Sequence, residues 1–164
     1  MNSYRLIDVS MDMEGFTFPG NPLFSAEGPF NRVPGDNPEF VYDLTFSTQT
    51  GTHIQGPHYF LEEGRRIDSF PLGAFEGMAC VLDLSKRGED TTVEDLRSLI
   101  RPGDRECPFV LFRTGHMEEV IRSGVLDPAR RPGLSPEAAR FLVREWGVRL
   151  IAIDSVGVES RASE

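Results

Sequence analysis

The sequence predicts an α/β domain, and the pattern of its second half together with its length supports this fold class. Short apolar segments rich in β-branched residues alternate there with amphipathic segments that begin at capping residues. A chain of 164 residues fits one compact domain with a single core. No apolar run is long enough to cross a membrane, and no basic start precedes a hydrophobic block. We therefore expect one domain over residues 1–164 in the cytoplasm.

The first forty residues predict one strand and a long loop. Residues 4–9 form a short apolar strand, and residues 14–38 carry repeated Gly and Pro that cannot propagate a helix or a central strand. Four phenylalanines anchor this loop: Phe16, Phe18, Phe24 and Phe30. Long ordered loops commonly carry function or contact a partner. Residues 40–48 then alternate in polarity and predict a strand.

The second half predicts alternating strands and helices. Strands are expected over residues 76–84, 108–113 and 148–154, and the strand over residues 108–113 is expected to be buried. Thr91 and Glu94 form a capping-box pattern that predicts the first helix start. Ser135 and Pro136 predict a second helix, which ends at Gly147. Strands separated by helices indicate parallel pairing in two successive strand-helix-strand units.

Charge and cysteine usage exclude several partner classes. Lys and Arg total 17 while Asp and Glu total 26, so the formal net charge is −9 at pH 7. A negative chain without a basic cluster does not attract nucleic acid or an anionic membrane surface. We expect neither partner.

Cys80 and Cys107 lie in or beside apolar segments without a CxxC spacing, which indicates buried thiols in a reducing compartment.

The stretch TQTGTHIQGPHYF, residues 48–60, holds two of the three histidines. In an extended chain, residues two apart share a face, which predicts one row: Gln49, Gly51, His53 and Gln55. Pro57 is expected to fix the turn that presents His58 and Tyr59.

This stretch resembles the H-x-G-T-H-x-D-x-P-x-H signature of the cyclase superfamily, which includes bacterial kynurenine formamidase and isatin hydrolase. Further segments fall in family-like order: residues 7–10, 18–22, 60–77, 112–115, 132–135 and 151–154. The resemblance implies an α/β fold of the swivelling β/β/α type with a mixed sheet. It also implies a dimer or tetramer with substrate sites near the subunit contacts.

The departures from the signature concern the metal site. Gln49 and Gln55 stand where the family has a metal-binding His and a bridging Asp, and His53 is retained. The family's catalytic His falls on Tyr59, and His58 lies one place earlier. Members carry a further His and Glu near the C-terminus, so we expect this chain to lack the family's C-terminal segment.

A catalytic zinc or manganese ion needs about three imidazole or carboxylate ligands, and an amide is a weak neutral donor. We therefore expect a degenerate metal site with His53 as its remaining ligand and no tightly bound cofactor. Zinc or manganese held with help from His58 or His116 is the alternative.

Each site candidate also has a structural interpretation. Gln49 and Gln55 either fill the space of lost ligands or bind a substrate carbonyl through their amides. His53 is either a hydrogen-bonded structural residue or part of the site. His58 and Tyr59 lie at the turn where the family places its proton-transfer residue, which favours a catalytic role.

Three further positions lie outside this stretch. His116 follows a predicted strand end, where ligand clefts in α/β sheets open, so it is a candidate substrate-binding residue or plain surface. Asp8 and Asp154 at strand ends are expected to cap loops. The family resemblance implies that Phe18 walls the substrate pocket, which suits a small planar or apolar substrate.

These observations favour a diverged cyclase/formamidase-family enzyme that acts on a small carbonyl compound by hydrolysis, ring closure or elimination. His58 or Tyr59 would transfer a proton, while Gln49, His53 and Gln55 would hold the carbonyl oxygen. The alternatives are a metal-dependent arylformamidase-like amide or lactam hydrolase, and a non-catalytic binding or assembly subunit. The aromatic loop over residues 14–38 also predicts a homo-oligomer.

Overall fold

The computed structural model describes residues 5–31, 39–85, 90–127 and 131–159. By its contacts the chain forms two compact units, residues 1–67 and 68–164. Antiparallel strands occur in the first unit, and parallel strands connected by helices occur in the second. The predicted α/β fold class with both kinds of pairing is confirmed.

The first unit contains a two-stranded antiparallel sheet. Strand β1, Ser25–Asn31, pairs with β2, Phe40–Thr45. The prediction of a loop over residues 14–38 missed β1. Both strands of a two-stranded sheet are edge strands, where Gly and Pro are tolerated, and the pairing shifts register between Glu27 and Phe30. Residues 32–38 of that loop lie outside the described residues.

The strand predicted over residues 4–9 is wrong for its described part, since residues 5–10 form no strand. The apolar side chains of this segment are exposed, with Leu6 at 97% and Val9 at 83% exposure. The segment pairs with neither β1 nor β2. Apolar composition alone predicted this strand, and composition cannot supply a pairing partner.

The second unit contains a parallel three-stranded sheet in the order β3, β4, β5. These strands are β3, Ala79–Asp83; β4, Phe109–Arg113; and β5, Leu150–Ile153. Both pairings are parallel, with Leu82 opposite Phe112 and Phe112 opposite Ile153. All three strands were predicted from their apolar runs; β4 is mostly buried, β3 alternates between buried and exposed residues, and β5 is partly buried.

Within the described part of this unit, three α-helices connect and flank the sheet: α1, Val93–Leu99; α2, His116–Ser123; and α3, Pro136–Phe141. Helix α3 continues as a π-helical segment, Leu142–Trp146, and ends at Gly147 as predicted. The Ser135 hydroxyl caps α3 by accepting from the backbone N–H of Ala138. Short 3₁₀ segments occur at Pro57–Tyr59, Ile67–Ser69, Leu72–Ala74 and Asp104–Glu106.

The capping box of α1 lies one residue later than predicted. Thr92 is the N-cap, and its side chain and that of Asp95 each bond the other's backbone N–H. Thr91 is buried at 1% exposure, and its backbone bonds Gly133 and Ser135. Thr91 is therefore paired outside the helix, and Thr92 is the residue that caps it.

The hydrophobic core belongs to the second unit. Its buried members are Cys80, Leu82, Leu84, Leu96, Val110, Phe112, Leu134, Ala138, Phe141, Leu142, Trp146 and Val148. Cys80 is buried as predicted, and the half-buried Cys107 packs against this cluster. Burial raises the pKa of the Cys80 thiol to about 11. No helix within the described ranges is long and apolar enough to cross a membrane.

Candidate functional site

A tight turn follows β2 and carries the first part of the candidate site. The Thr50 hydroxyl accepts from the Ser47 N–H at 3.1 Å, and the Thr50 N–H donates to the Ser47 carbonyl at 3.0 Å. Gly51 has φ +63°, a conformation that favours glycine. Residues 48–52 are therefore a turn, and the predicted extended row over residues 49–55 is wrong.

The turn nevertheless brings the two glutamines together. Gln55 Nε2 donates to Gln49 Oε1 at 2.6 Å. Each primary amide offers two N–H donors and one carbonyl oxygen, so this bond leaves three N–H donors and the Gln55 oxygen for other partners. The pair occupies the two positions at which the family signature has His and Asp.

His53 lies between the glutamines in sequence, and its ring is held by the same turn. Its Nδ1 lies 2.9 Å from the Gly51 carbonyl oxygen. Because a carbonyl only accepts hydrogen bonds, Nδ1 carries the proton and Nε2 of the neutral ring is an acceptor. The neighbouring Thr52 hydroxyl accepts from the Met11 N–H at 2.8 Å, which ties the turn to the N-terminal segment.

His58 lies in the 3₁₀ segment Pro57–Tyr59, with an exposed side chain. Its Nδ1 lies 2.9 Å from the Glu62 carbonyl oxygen, and its backbone N–H donates to the Arg65 carbonyl at 3.2 Å. The same reasoning assigns the proton to Nδ1 and leaves Nε2 as a base. Glu62 and Arg65 act here through their backbone, which side-chain chemistry in the sequence could not indicate.

Tyr59 and Phe18 are both partly exposed. Tyr59 is 53% exposed, and its ring meets Phe60 edge-on at 4.6 Å. Phe18 is 40% exposed. Another aromatic contact in this unit joins Phe24 and Phe46, at 6.4 Å. The lining role of Phe18 stays a prediction.

His116 lies in the second unit, at the carboxyl ends of two adjacent parallel strands. It follows β4, and its Nδ1 lies 3.0 Å from the Ser155 hydroxyl just after β5. Burial lowers the pKa of the His116 imidazole; the charges of Glu119 and Asp154 act in the opposite direction, and that of Arg131 also lowers it. Sequence reasoning missed Ser155, although its place after a predicted strand was a usable signal.

Asp154 holds the two strand ends together, which confirms its predicted role. Its carboxylate accepts from the Thr114 N–H at 2.6 Å, the Thr114 hydroxyl at 2.7 Å and the Gly115 N–H at 2.8 Å. Asp8 caps its own loop in the same manner, accepting from the Ser10 N–H and hydroxyl. These hydrogen bonds to Ser10 lower the pKa of the Asp8 carboxyl.

The pair of Ser155 and His116 has the spacing of a nucleophile and a base. Backbone N–H groups of the adjacent loop are one source of the donors that stabilise an oxyanion. The four N–H groups of residues 114–117 all donate within the structure, to Asp154 or to Thr114. The loop over residues 114–117 therefore offers this pair no backbone N–H that is free to stabilise an oxyanion.

The side chains at the signature positions do not fit a catalytic divalent metal. Gln49 and Gln55 bind each other, and His53 is the single imidazole among them. Within residues 5–31, 39–85, 90–127 and 131–159, no three His, Cys, Asp or Glu side chains lie close enough to hold an ion. A catalytic site normally needs about three such ligands. The neutral amides supply neither the charge nor the donor strength.

Two kynurenine formamidases resemble this chain along almost its whole length. The protein from Geobacillus thermodenitrificans is 29% identical over 164 residues, which covers 100% of this chain and 74% of that protein. The protein from Bacillus cereus is 30% identical over 161 residues, which covers 97% of this chain and 72% of that protein.

Solved structures of two isatin hydrolases share the fold. The enzyme from Labrenzia aggregata has a TM-score of 0.70 at 23% identity, covering 95% of this chain and 70% of that chain. The enzyme from Ralstonia solanacearum has a TM-score of 0.71 at 19% identity, covering 95% and 68%. The family model described as "Putative cyclase" matches residues 7–160. The chain belongs to the cyclase family of enzymes.

Proposed function

We propose that this chain is a hydrolase of the cyclase family that acts on a small carbonyl compound through acid–base chemistry, without a tightly held metal. The relatives support the substrate class, because kynurenine formamidase and isatin hydrolase are named for hydrolysis of small carbonyl compounds. The residues at the signature positions support the departure in mechanism, because they offer two amides and one imidazole.

The single observation that carries the proposal is the hydrogen bond from His58 Nδ1 to the Glu62 carbonyl, at 2.9 Å. This bond leaves Nε2 of a neutral imidazole as the base. His58 Nε2 takes a proton from water as the water oxygen adds to the substrate carbonyl carbon. The imidazolium then returns that proton to the leaving nitrogen or oxygen as its bond to carbon breaks.

The glutamine pair supplies donors for the carbonyl oxygen. Three amide N–H groups of Gln49 and Gln55 are left by their mutual hydrogen bond, and such donors stabilise the negative charge that develops on the oxygen. His53 is unsuited to donate in its neutral form, because its Nδ1 proton is bonded to Gly51. Its Nε2 is suited to accept a proton from water or substrate.

The direct experiment measures hydrolysis of a panel of aryl formamides, lactams and aryl esters, with and without a chelator. His58→Asn should lower kcat about 10²-fold or more, which is the usual contribution of a positioned acid or base. Tyr59→Phe tests the phenol as the proton donor instead. Glu94→Gln, on the exposed side of α1, is the control and should retain full activity. Full activity of His58→Asn would contradict the proposal.

A metal-dependent amide or lactam hydrolase is the second candidate, and one observation favours it. Both His53 and His58 donate Nδ1–H to a backbone carbonyl, an arrangement common in histidines that bind metal through Nε2. Loss of activity in the chelator, restored by zinc or manganese, would identify this candidate. Tight binding of a panel compound without turnover would identify a non-catalytic binding subunit.

A further inference from the structure

The segment over residues 56–65 folds back on itself, and Gly64 lies at the closest approach. A Cβ placed on Gly64 would lie 2.5 Å from the Pro57 carbonyl carbon, 2.6 Å from the Pro57 oxygen and 2.7 Å from the His58 nitrogen. All three atoms belong to the backbone, so no side-chain rotation can relieve the contact. Any residue other than glycine must push the two sides of this loop apart.

The hydrogen bonds of the loop depend on the same approach. The Gly64 N–H donates to the Leu61 carbonyl at 2.7 Å, and the His58 N–H donates to the Arg65 carbonyl at 3.2 Å. Glu62 lies within the turn that the Gly64 to Leu61 bond closes, and its carbonyl accepts from His58 Nδ1 at 2.9 Å. The acceptor that orients the imidazole is therefore carried by the turn that Gly64 closes.

We infer that Gly64 is a positioning residue for His58: its missing side chain lets the loop close, and the closed loop holds the imidazole in the Nδ1–H tautomer. Which ring nitrogen of a neutral histidine carries the proton is set by the hydrogen bonds that the ring makes, so this tautomer depends on the fixed acceptor at Glu62. The inference rests on the proposed function, in which His58 Nε2 is the base. Gly64 touches no reacting atom and acts through His58.

The test compares Gly64→Ala with Gly73→Ala in the full chain. Gly73 is a matched control, because a Cβ there meets nothing within 4 Å and its backbone is not left-handed. Nitrogen-15 NMR of the histidine rings reports which nitrogen carries the proton. His53 serves as an internal reference, since its own Nδ1 bonds the Gly51 carbonyl.

We expect His58 in the wild type and in Gly73→Ala to show a protonated Nδ1 and an unprotonated Nε2. Gly64→Ala should shift His58 towards the Nε2–H form and leave His53 unchanged. Where turnover is measurable, kcat of Gly64→Ala should fall about tenfold or more, with KM changed less than about twofold. Gly64→Ala with unchanged His58 signals would overturn the inference.

Two further outcomes distinguish failure of the inference from misfolding of the variant and from failure of the proposed function. If Gly64→Ala does not fold, the wild type alone decides: an Nε2–H tautomer at His58 overturns the inference, and an Nδ1–H tautomer with slow exchange of the His58 and Gly64 amide protons supports it. If His58→Asn leaves turnover unchanged while Gly64→Ala shifts the tautomer, the function fails and the positioning role stands.

Discussion

The two units of this chain are organised in different ways. In the second unit, a parallel sheet and its helices bury a continuous apolar cluster between Cys80 and Val148. Among the described residues of the first unit, Thr50 alone is buried. The first unit carries the candidate site, and hydrogen bonds to backbone groups hold its turns. Burial of apolar side chains therefore stabilises the second unit, while local hydrogen bonds shape the first.

A core truncation should show the largest difference between the units. Leu96 is fully buried in the second unit, so Leu96→Ala should lower the free energy of unfolding by about 2–5 kcal/mol. Leu44 is 56% exposed on β2, and Leu44→Ala should cost less than about 1 kcal/mol. Urea denaturation monitored by far-ultraviolet circular dichroism, to which both units contribute, measures both. Equal losses would show that the first unit has a core of its own.

We propose that a second copy of the chain covers the exposed face of β2. Alternate residues of this strand share one face and are each at least half exposed, namely Phe40, Tyr42 and Leu44, and Phe46 just after the strand is half exposed as well. Monomers seldom leave such an apolar stripe in water. Light scattering at micromolar concentration should give a dimer or larger mass, and Leu44→Glu should weaken association about tenfold or more.

The control for association is Val143→Glu, because Val143 is 61% exposed in the second unit, away from β2 in sequence. It should leave the mass unchanged. A monomeric wild type, or equal dissociation of both variants, would show that the apolar stripe on β2 is not the interface.

The corrected helix cap gives a smaller effect within the second unit. Thr92→Ala removes the N-cap of α1 and should cost about 1 kcal/mol of unfolding free energy. Glu94→Ala removes the partner predicted from the sequence and should cost less than about 0.5 kcal/mol. Thermal denaturation ranks the two variants, and the reverse order would restore the cap at Thr91.

These corrections show what the sequence could predict. Strands β3, β4 and β5 were correctly predicted because each contains a short apolar run, and side chains of all three lie in or against the core of their unit. Strand β1 was missed because its Gly and Pro predict a loop, although a strand at a sheet edge tolerates both. The strand over residues 4–9 was predicted from apolar side chains that the structure leaves exposed.

The candidate site was predictable in its residues and less so in its geometry. The signature positions identified the glutamines, yet the expected extended row is a turn around Gly51. The two amides meet through that turn, which face alternation did not predict. The partners of His53 and His58 are backbone carbonyls, and a carbonyl is common to every residue type. Their positions depend on the folded loop alone.

The smallest expected effect concerns acid stability. Because burial lowers the pKa of His116 in the folded state, the unfolded chain binds a proton more readily as the pH falls. The contribution of His116 to stability is therefore fully present above the ordinary histidine pKa of 6.5, and it is lost as the pH drops below that value. His116→Asn should lose less stability than the wild type between about pH 7 and pH 5.5. Parallel curves from chemical denaturation would contradict this assignment.

The most direct test of the central claim is metal binding by the wild type beside the double variant Gln49→His, Gln55→Asp. Titration calorimetry with zinc and manganese, and metal analysis of protein purified without chelator, need no knowledge of the substrate. The account predicts that the double variant binds far more tightly, because it restores an imidazole and a carboxylate beside His53, while the wild type holds well below one equivalent. Tight binding of one equivalent by the wild type would contradict the account.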